Sequence, residues 1–70
     1  MDIREIFARN LKARRERLGY SQEELAHRAG LDRTYVSSLE RCKYGVSIDI
    51  LARLAEALEL EANELLKPGQ

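Results

Sequence analysis

The segment from Ser21 to Glu40 reads SQEELAHRAGLDRTYVSSLE, and it restricts the folds open to this chain more than any other. It holds two short helical patterns on either side of a glycine. The first follows Ser21 and sets Leu25, Ala26 and Ala29 on one face. Ser21 with Glu24 three residues on has the capping-box pattern, in which each side chain satisfies a free backbone N–H of the other. The second follows Asp32, a favoured N-cap residue, and sets Val36 and Leu39 on one face. Only Gly30, Leu31 and Asp32 separate the two, so their apolar faces meet across a tight turn. That is the layout of a helix-turn-helix.

The flanking sequence supplies the rest of a small helical fold. Ile3, Phe7, Leu11 and Leu18 recur at helical spacing with Ile6 and Ala13 beside them, which predicts a helix over about Ile3 to Leu18. Gly19 stops it, and Tyr20 packs down as the chain turns. Helix 2 covers about Gln22 to Ala29 and ends at Gly30. Helix 3 covers about Arg33 to Arg41, and a loop runs from Cys42 to Val46. Ser47 caps a fourth helix over about Ile48 to Leu58, with Leu51, Leu54, Ala55 and Leu58 on its buried face. A short fifth helix covers about Ala62 to Leu66, with Leu65 and Leu66 turned inward, and Pro68 and Gly69 end it. No segment alternates apolar and polar residues long enough to read as a strand. The expected fold is all-α, a compact five-helix arrangement forming one domain over residues 1–70, with helices 2 and 3 as the helix-turn-helix.

Several function classes drop out. No apolar run is long enough to span a membrane, and the first residues alternate charged and apolar groups, unlike a signal peptide. Cys42 is the single cysteine and His27 the single histidine, too few for a closed zinc site, so no metal is expected. A reducing cytoplasm is the expected compartment. The chain shows no Ser/His/Asp or Cys/His arrangement, no paired catalytic carboxylates and no phosphate-cradling glycine loop. It is expected not to be an enzyme, to carry no cofactor and to take no small-molecule ligand.

Net charge is zero, but it is unevenly placed. Residues 1–45 carry ten Lys/Arg and seven Asp/Glu, whereas residues 46–70 carry two and five. The half with the helix-turn-helix is basic, and a local basic face is what phosphate binding requires. In a DNA-binding helix-turn-helix the second helix enters the major groove with its N-terminal residues near base edges. Arg33, Thr34, Ser37 and Ser38, on the side away from Val36 and Leu39, are the candidate base contacts. Arg33 has the donors to pair with O6 and N7 of a guanine. Gln22, first in helix 2, is placed with the free N–H groups of that helix start to hold a phosphate. Tyr35 has two readings: contact with the DNA backbone through its ring or hydroxyl, or an aromatic at the core edge. Lys43 and Tyr44, just past helix 3, are placed to touch phosphates or to lie in a solvated loop, and Arg41 joins them or lies in water. Arg15 on helix 1 and Glu40 directly after Leu39 form a candidate structural ion pair locking helix 1 to helix 3.

These residues resemble a known family. Gln22, Leu25-Ala26, Gly30, Val36, Ser37, Leu39-Glu40 and Lys43 follow the pattern of the lambda-repressor-like, Cro/Xre-type helix-turn-helix proteins. Ile48-Asp49-Ile50-Leu51 and Leu54-Ala55-Glu56-Ala57-Leu58 are similar to the family's fourth helix. The run from Leu31 to Ser37 looks like the controller proteins of restriction–modification systems. The resemblance implies sequence-specific binding of double-stranded DNA at a palindromic operator, as a homodimer, and regulation of transcription. It implies that Gln22 holds a phosphate, that Arg33, Thr34 and Ser38 approach bases, and that Arg15 and Glu40 form the family's ion pair. The dimer contact is expected on helices 4 and 5, where Ile50, Leu60 and Leu65 are apolar residues to spare. The alternative is a protein-interaction module, an antitoxin or adaptor, that keeps the shape without reading DNA. One departure stands out: Cys42 occupies a position where the family usually has Gly. Left-handed backbone at a non-glycine residue costs about 1 kcal/mol, so Gly45 is expected to take the sharp turn instead.

Overall fold

The structure is a computed structural model, and it describes residues 2–69. Four α-helices follow one another: α1 Ile3–Arg17, α2 Gln22–Ala29, α3 Arg33–Glu40 and α4 Ile48–Ala57. A 3-10 helix over Ala62–Leu66 completes the order. The described residues are all helix, turn or irregular chain, with no strand. The fifth element is therefore not the α-helix expected. Five residues give little more than one turn, and the tighter i to i+3 winding is common in such short pieces.

Each α-helix starts on a side-chain cap. Ser21 accepts from the Glu24 N–H, Asp32 from Thr34 and Ser47 from Ile50. The reciprocal capping box expected at Ser21 and Glu24 forms by only one half. The Glu24 carboxylate turns instead to Arg28 one helical turn on, at 2.7 Å. The complete box lies at the start of α1, where Asp2 accepts from Arg4 and Glu5 and the Glu5 carboxylate accepts from the Asp2 N–H at 3.0 Å.

The four helices also end alike. Gly19, Gly30, Cys42 and Glu59 all adopt positive φ. At each, the paired backbone bonds of a Schellman motif close the helix: for α3, Cys42 N–H to Leu39 O and Lys43 N–H to Ser38 O, both 3.0 Å. Gly45 does not take the sharp turn as expected. Cys42 takes it with φ of 60°, because the closing bonds fix that residue and leave no choice of position.

The core is built from Phe7 and Leu11 of α1, Leu25, Ala26 and Ala29 of α2, Val36 and Leu39 of α3, Leu51, Leu54 and Ala55 of α4, with Leu58 and Leu65 beyond. Burying each large aliphatic side chain contributes about 1.5–3 kcal/mol. The helix-turn-helix pair packs on itself; α2 also rests on α4 and α3 on α1, while the 3-10 helix lies against α1 and α4. Ile3 does not join the apolar face assigned to it. It sits in the first turn of α1, beyond the reach of any covering element, and is 55% exposed.

Candidate nucleic-acid interface

Helix α3 presents its first turn to solvent. Arg33 and Thr34 are exposed, while Val36 and Leu39 point into the core. Tyr35 and Ser37 are half-buried, and Tyr35 packs against the core edge. The expectation for Ser38 is corrected: at 7% exposure it is buried, so it leaves the outward edge. A 100° step per residue places position 38 only about 40° from Thr34, so its burial comes from the elements that cover this side of α3 and not from the helix's own apolar stripe.

The start of α3 is electrostatically unlike the others. Helices α1, α2 and α4 each carry acid in the first turn, where it complements the positive end of the helix dipole. Helix α3 carries none within that turn and places Arg33 there. Its one nearby carboxylate is the Asp32 cap, which is tied to the Thr34 N–H at 2.9 Å. A cation at this end is locally unfavourable by about 0.3–1 kcal/mol. An anionic partner would relieve it.

Behind this edge lies a buried polar lock. The Arg15 Nε donates to Glu40 Oε2 at 2.6 Å and its Nη2 to Glu40 Oε1 at 3.0 Å, a bidentate pair. The third nitrogen, Nη1, donates to the Tyr20 carbonyl at 2.8 Å. The Glu40 side chain is 3% exposed and that of Arg15 11%. The hydrogen bonds from Arg15 to Glu40 hold the guanidinium proton more tightly than in water, which outweighs the opposing effect of burial. The Gln22 amide Nε2 also donates to Glu40 Oε1, at 3.1 Å. One of the two Gln22 donors is thus engaged inside the molecule, which fixes how the amide is turned and leaves the other donor at the start of α2.

Lys43 and Tyr44 lie exposed in the loop after α3, and Arg41, the C-cap of α3, is exposed as well. Tyr44 is 59% exposed and, with Ile3 and Ile48, rims a groove of about 360 Å³ floored by Phe7, Val46 and Leu51. The three apolar residues expected to be spare on the C-terminal elements differ in burial. Leu65 is fully buried, whereas Ile50 and Leu60 are half-buried, packed against the core on one side and open on the other. The large apolar side chains most open to solvent are Ile3 of α1, Tyr44 of the loop and Ile48 of α4.

Three polar side chains that hold this frame together escape a reading of the sequence. Arg53 of α4 donates to the carbonyls of Ala29 and Gly30, at 3.1 and 2.7 Å, and so ties α4 to the turn of the helix-turn-helix. Arg14 donates to the Leu58 carbonyl at 3.0 Å. Buried Asn10 donates to the carbonyls of Leu65 and Lys67, at 3.0 and 2.8 Å. Each acceptor is a backbone carbonyl near a helix end, so no partner residue type marks these contacts in the sequence. Among the described residues no group of three or more His, Cys, Asp or Glu could hold a metal ion, and no helix is long and apolar enough to cross a membrane.

A helix-turn-helix family model matches residues 11–65, and the chain belongs to that family. A hypothetical transcription factor of Neisseria meningitidis serogroup B is 44% identical over 69 residues, covering 99% of this chain and 65% of its own length. This chain therefore spans somewhat less than two thirds of that relative. The crystal structure of the restriction–modification controller protein C.AhdI from Aeromonas hydrophila is similar with a TM-score of 0.86 at 42% identity, covering 89% of this chain and 94% of that one. The biofilm master regulator SinR, solved in complex with DNA, is similar with a TM-score of 0.82 at 34% identity, covering 87% and 98%.

Proposed function

We propose that this chain is a transcription regulator that binds double-stranded DNA sequence-specifically, as a homodimer on a palindromic operator, in the manner of the restriction–modification controller proteins it resembles. The observation that carries the reading is the start of α3. Arg33 and Thr34 stand exposed at a helix end whose one carboxylate is committed to the cap, and the Arg15–Glu40 pair holds the other end of that helix rigidly. A helix of eight residues is about 12 Å long, comparable to the width of the major groove. Arg33 and Thr34 then face base edges, with Ser37 beside them and Tyr35 on the flank. Gln22, Lys43 and Tyr44 hold the phosphate rails on either side. Ser38 plays no part in base contact.

The dimer follows from the need to read two half-sites about 34 Å apart. The two copies join through α4 and the C-terminal element, where Ile48 is 83% exposed and Ile50 and Leu60 are half-buried. Selection of bound sites from random DNA is the test. It is expected to return a two-fold symmetric sequence, and Arg33→Ala is expected to flatten preference at one position of each half-site by about 1–3 kcal/mol. Binding indifferent to sequence in the unaltered protein would sink the reading. In sedimentation, Ile48→Asp is expected to shift the protein toward monomer.

A further inference from the structure

A second groove runs between the middle of α1 and the C-terminal end of α3. It is an open, shallow groove of about 410 Å³, lined in part by the small side chains of Ala8, Ala13 and Cys42. Its charged rim carries Arg9 and Lys12 from α1 and Arg41 from the end of α3, together with Glu5, Glu16 and Glu40. By sequence this is a neutral mixture. In the structure one acid, Glu40, is closely ion-paired, the other two make weaker contacts, and among the described residues the bases have no ion-pair partner. Glu5 accepts from the Asp2 N–H, Glu16 lies 3.9 Å from Arg15, and Glu40 is engaged by Arg15 and Gln22. Among the described residues, no carboxylate lies within ion-pairing distance of Arg9, Lys12 or Arg41, and all three are exposed.

We infer that this groove is a second track for the DNA backbone, taking phosphates of the duplex that flanks the bases met by α3. The inference rests on the DNA-binding reading above and extends it. Arg41 directly follows the helix proposed for the major groove, so a rail crossing the end of α3 meets it first. Arg9 and Lys12, one helical turn apart on α1, line the same groove as Arg41. Gln22 is joined to the groove through the Glu40 carboxylate that both share. The contacts are to phosphate, so they lengthen the footprint and strengthen binding without adding to sequence preference.

The test is fluorescence anisotropy on the selected site at about 50 to 200 mM salt, in a long duplex and in one trimmed to the symmetric core. The unaltered protein is compared with the triple variant Arg9→Ala, Lys12→Ala, Arg41→Ala. For each phosphate that the variant no longer neutralises, the log–log salt slope is expected to become shallower by about 0.9. Trimming the flanks is expected to weaken the unaltered protein and to leave the triple variant unchanged, with the order of preference among base substitutions the same in both. Arg9→Lys with Arg41→Lys is expected to retain the steep slope. Thermal melting by circular dichroism shows whether the triple variant is folded, which exposed side chains favour. If the triple variant keeps the full slope and the same response to trimming, the groove is overturned while the DNA-binding reading stands. If the unaltered protein binds no DNA, both are overturned.

Discussion

Helix α1 grips its two neighbours by different chemistry. Toward α3 it uses Arg15 on the Glu40 carboxylate, a buried charge pair in which both partners are side chains. Toward the C-terminal elements it uses Asn10 and Arg14 on the backbone carbonyls of Leu58, Leu65 and Lys67. The first grip is mutual, since each charge is tolerable inside only because the other is there. The second is one-sided, since a carbonyl is present whatever residue carries it. The helix proposed to read DNA is thus held by a contact that specifies both residues. The C-terminal end is held by hydrogen bonds that make no demand on the side chains at positions 58, 65 and 67.

Breaking the mutual grip is expected to have the largest effect. Glu40→Ala strands the Arg15 guanidinium and is expected to cost about 3–5 kcal/mol, a large share of the total for a small domain. Urea denaturation measures it. Replacing both with apolar residues, Arg15→Met with Glu40→Leu, is expected to restore most of that loss, and a double variant as unstable as the single one would show that the pair does not act as a unit. Asn10→Ala tests the one-sided grip and is expected to cost about 1–3 kcal/mol. Amide exchange is expected to quicken at the 3-10 helix and to stay slow in α2 and α3.

Arg53→Ala sharpens the comparison, because it removes a one-sided contact that nonetheless touches the helix-turn-helix. The Gly30 carbonyl is exposed and the Ala29 contact is part-buried, so water replaces the guanidinium at one acceptor at least and the expected loss is about 0.5–1.5 kcal/mol. Calorimetric melting would detect it, and a loss as large as that of Glu40→Ala would erase the distinction between the grips. The smallest change concerns the end of α3 itself. Gly30 closes α2 in the left-handed region without strain, whereas Cys42 closes α3 there with a side chain. Cys42→Gly is expected to stabilise by up to about 1 kcal/mol, raising the melting temperature by a few degrees.

Most of the helix-turn-helix is legible in the amino-acid order alone. Ser21, Asp32 and Ser47 mark helix starts because a short oxygen-bearing side chain has one good use just ahead of an apolar-periodic run. Gly19 and Gly30 mark ends because they enter the left-handed region freely. Arg15 and Glu40 stand out because two opposite charges fall beside buried positions. The illegible contacts are those whose partners carry no residue label: Asn10, Arg14 and Arg53 on carbonyls, and Arg9 and Lys12 brought beside Arg41 from another helix. Periodicity puts Ser38 and Ile3 on the wrong side for a related reason. Helical spacing says which residues share a face, but the width of the covered stripe depends on what lies over it.

By itself, then, the order of residues determined where the helices begin and end, which of their faces are apolar and that the second and third are joined too closely to part. Those are local properties, set within a few residues by caps, backbone freedom and periodicity. Only the tertiary structure decided which acid is neutralised by a buried partner and which cations are left to face solvent. Charge balance and burial depend on neighbours distant in sequence, and no local pattern reports who those neighbours are.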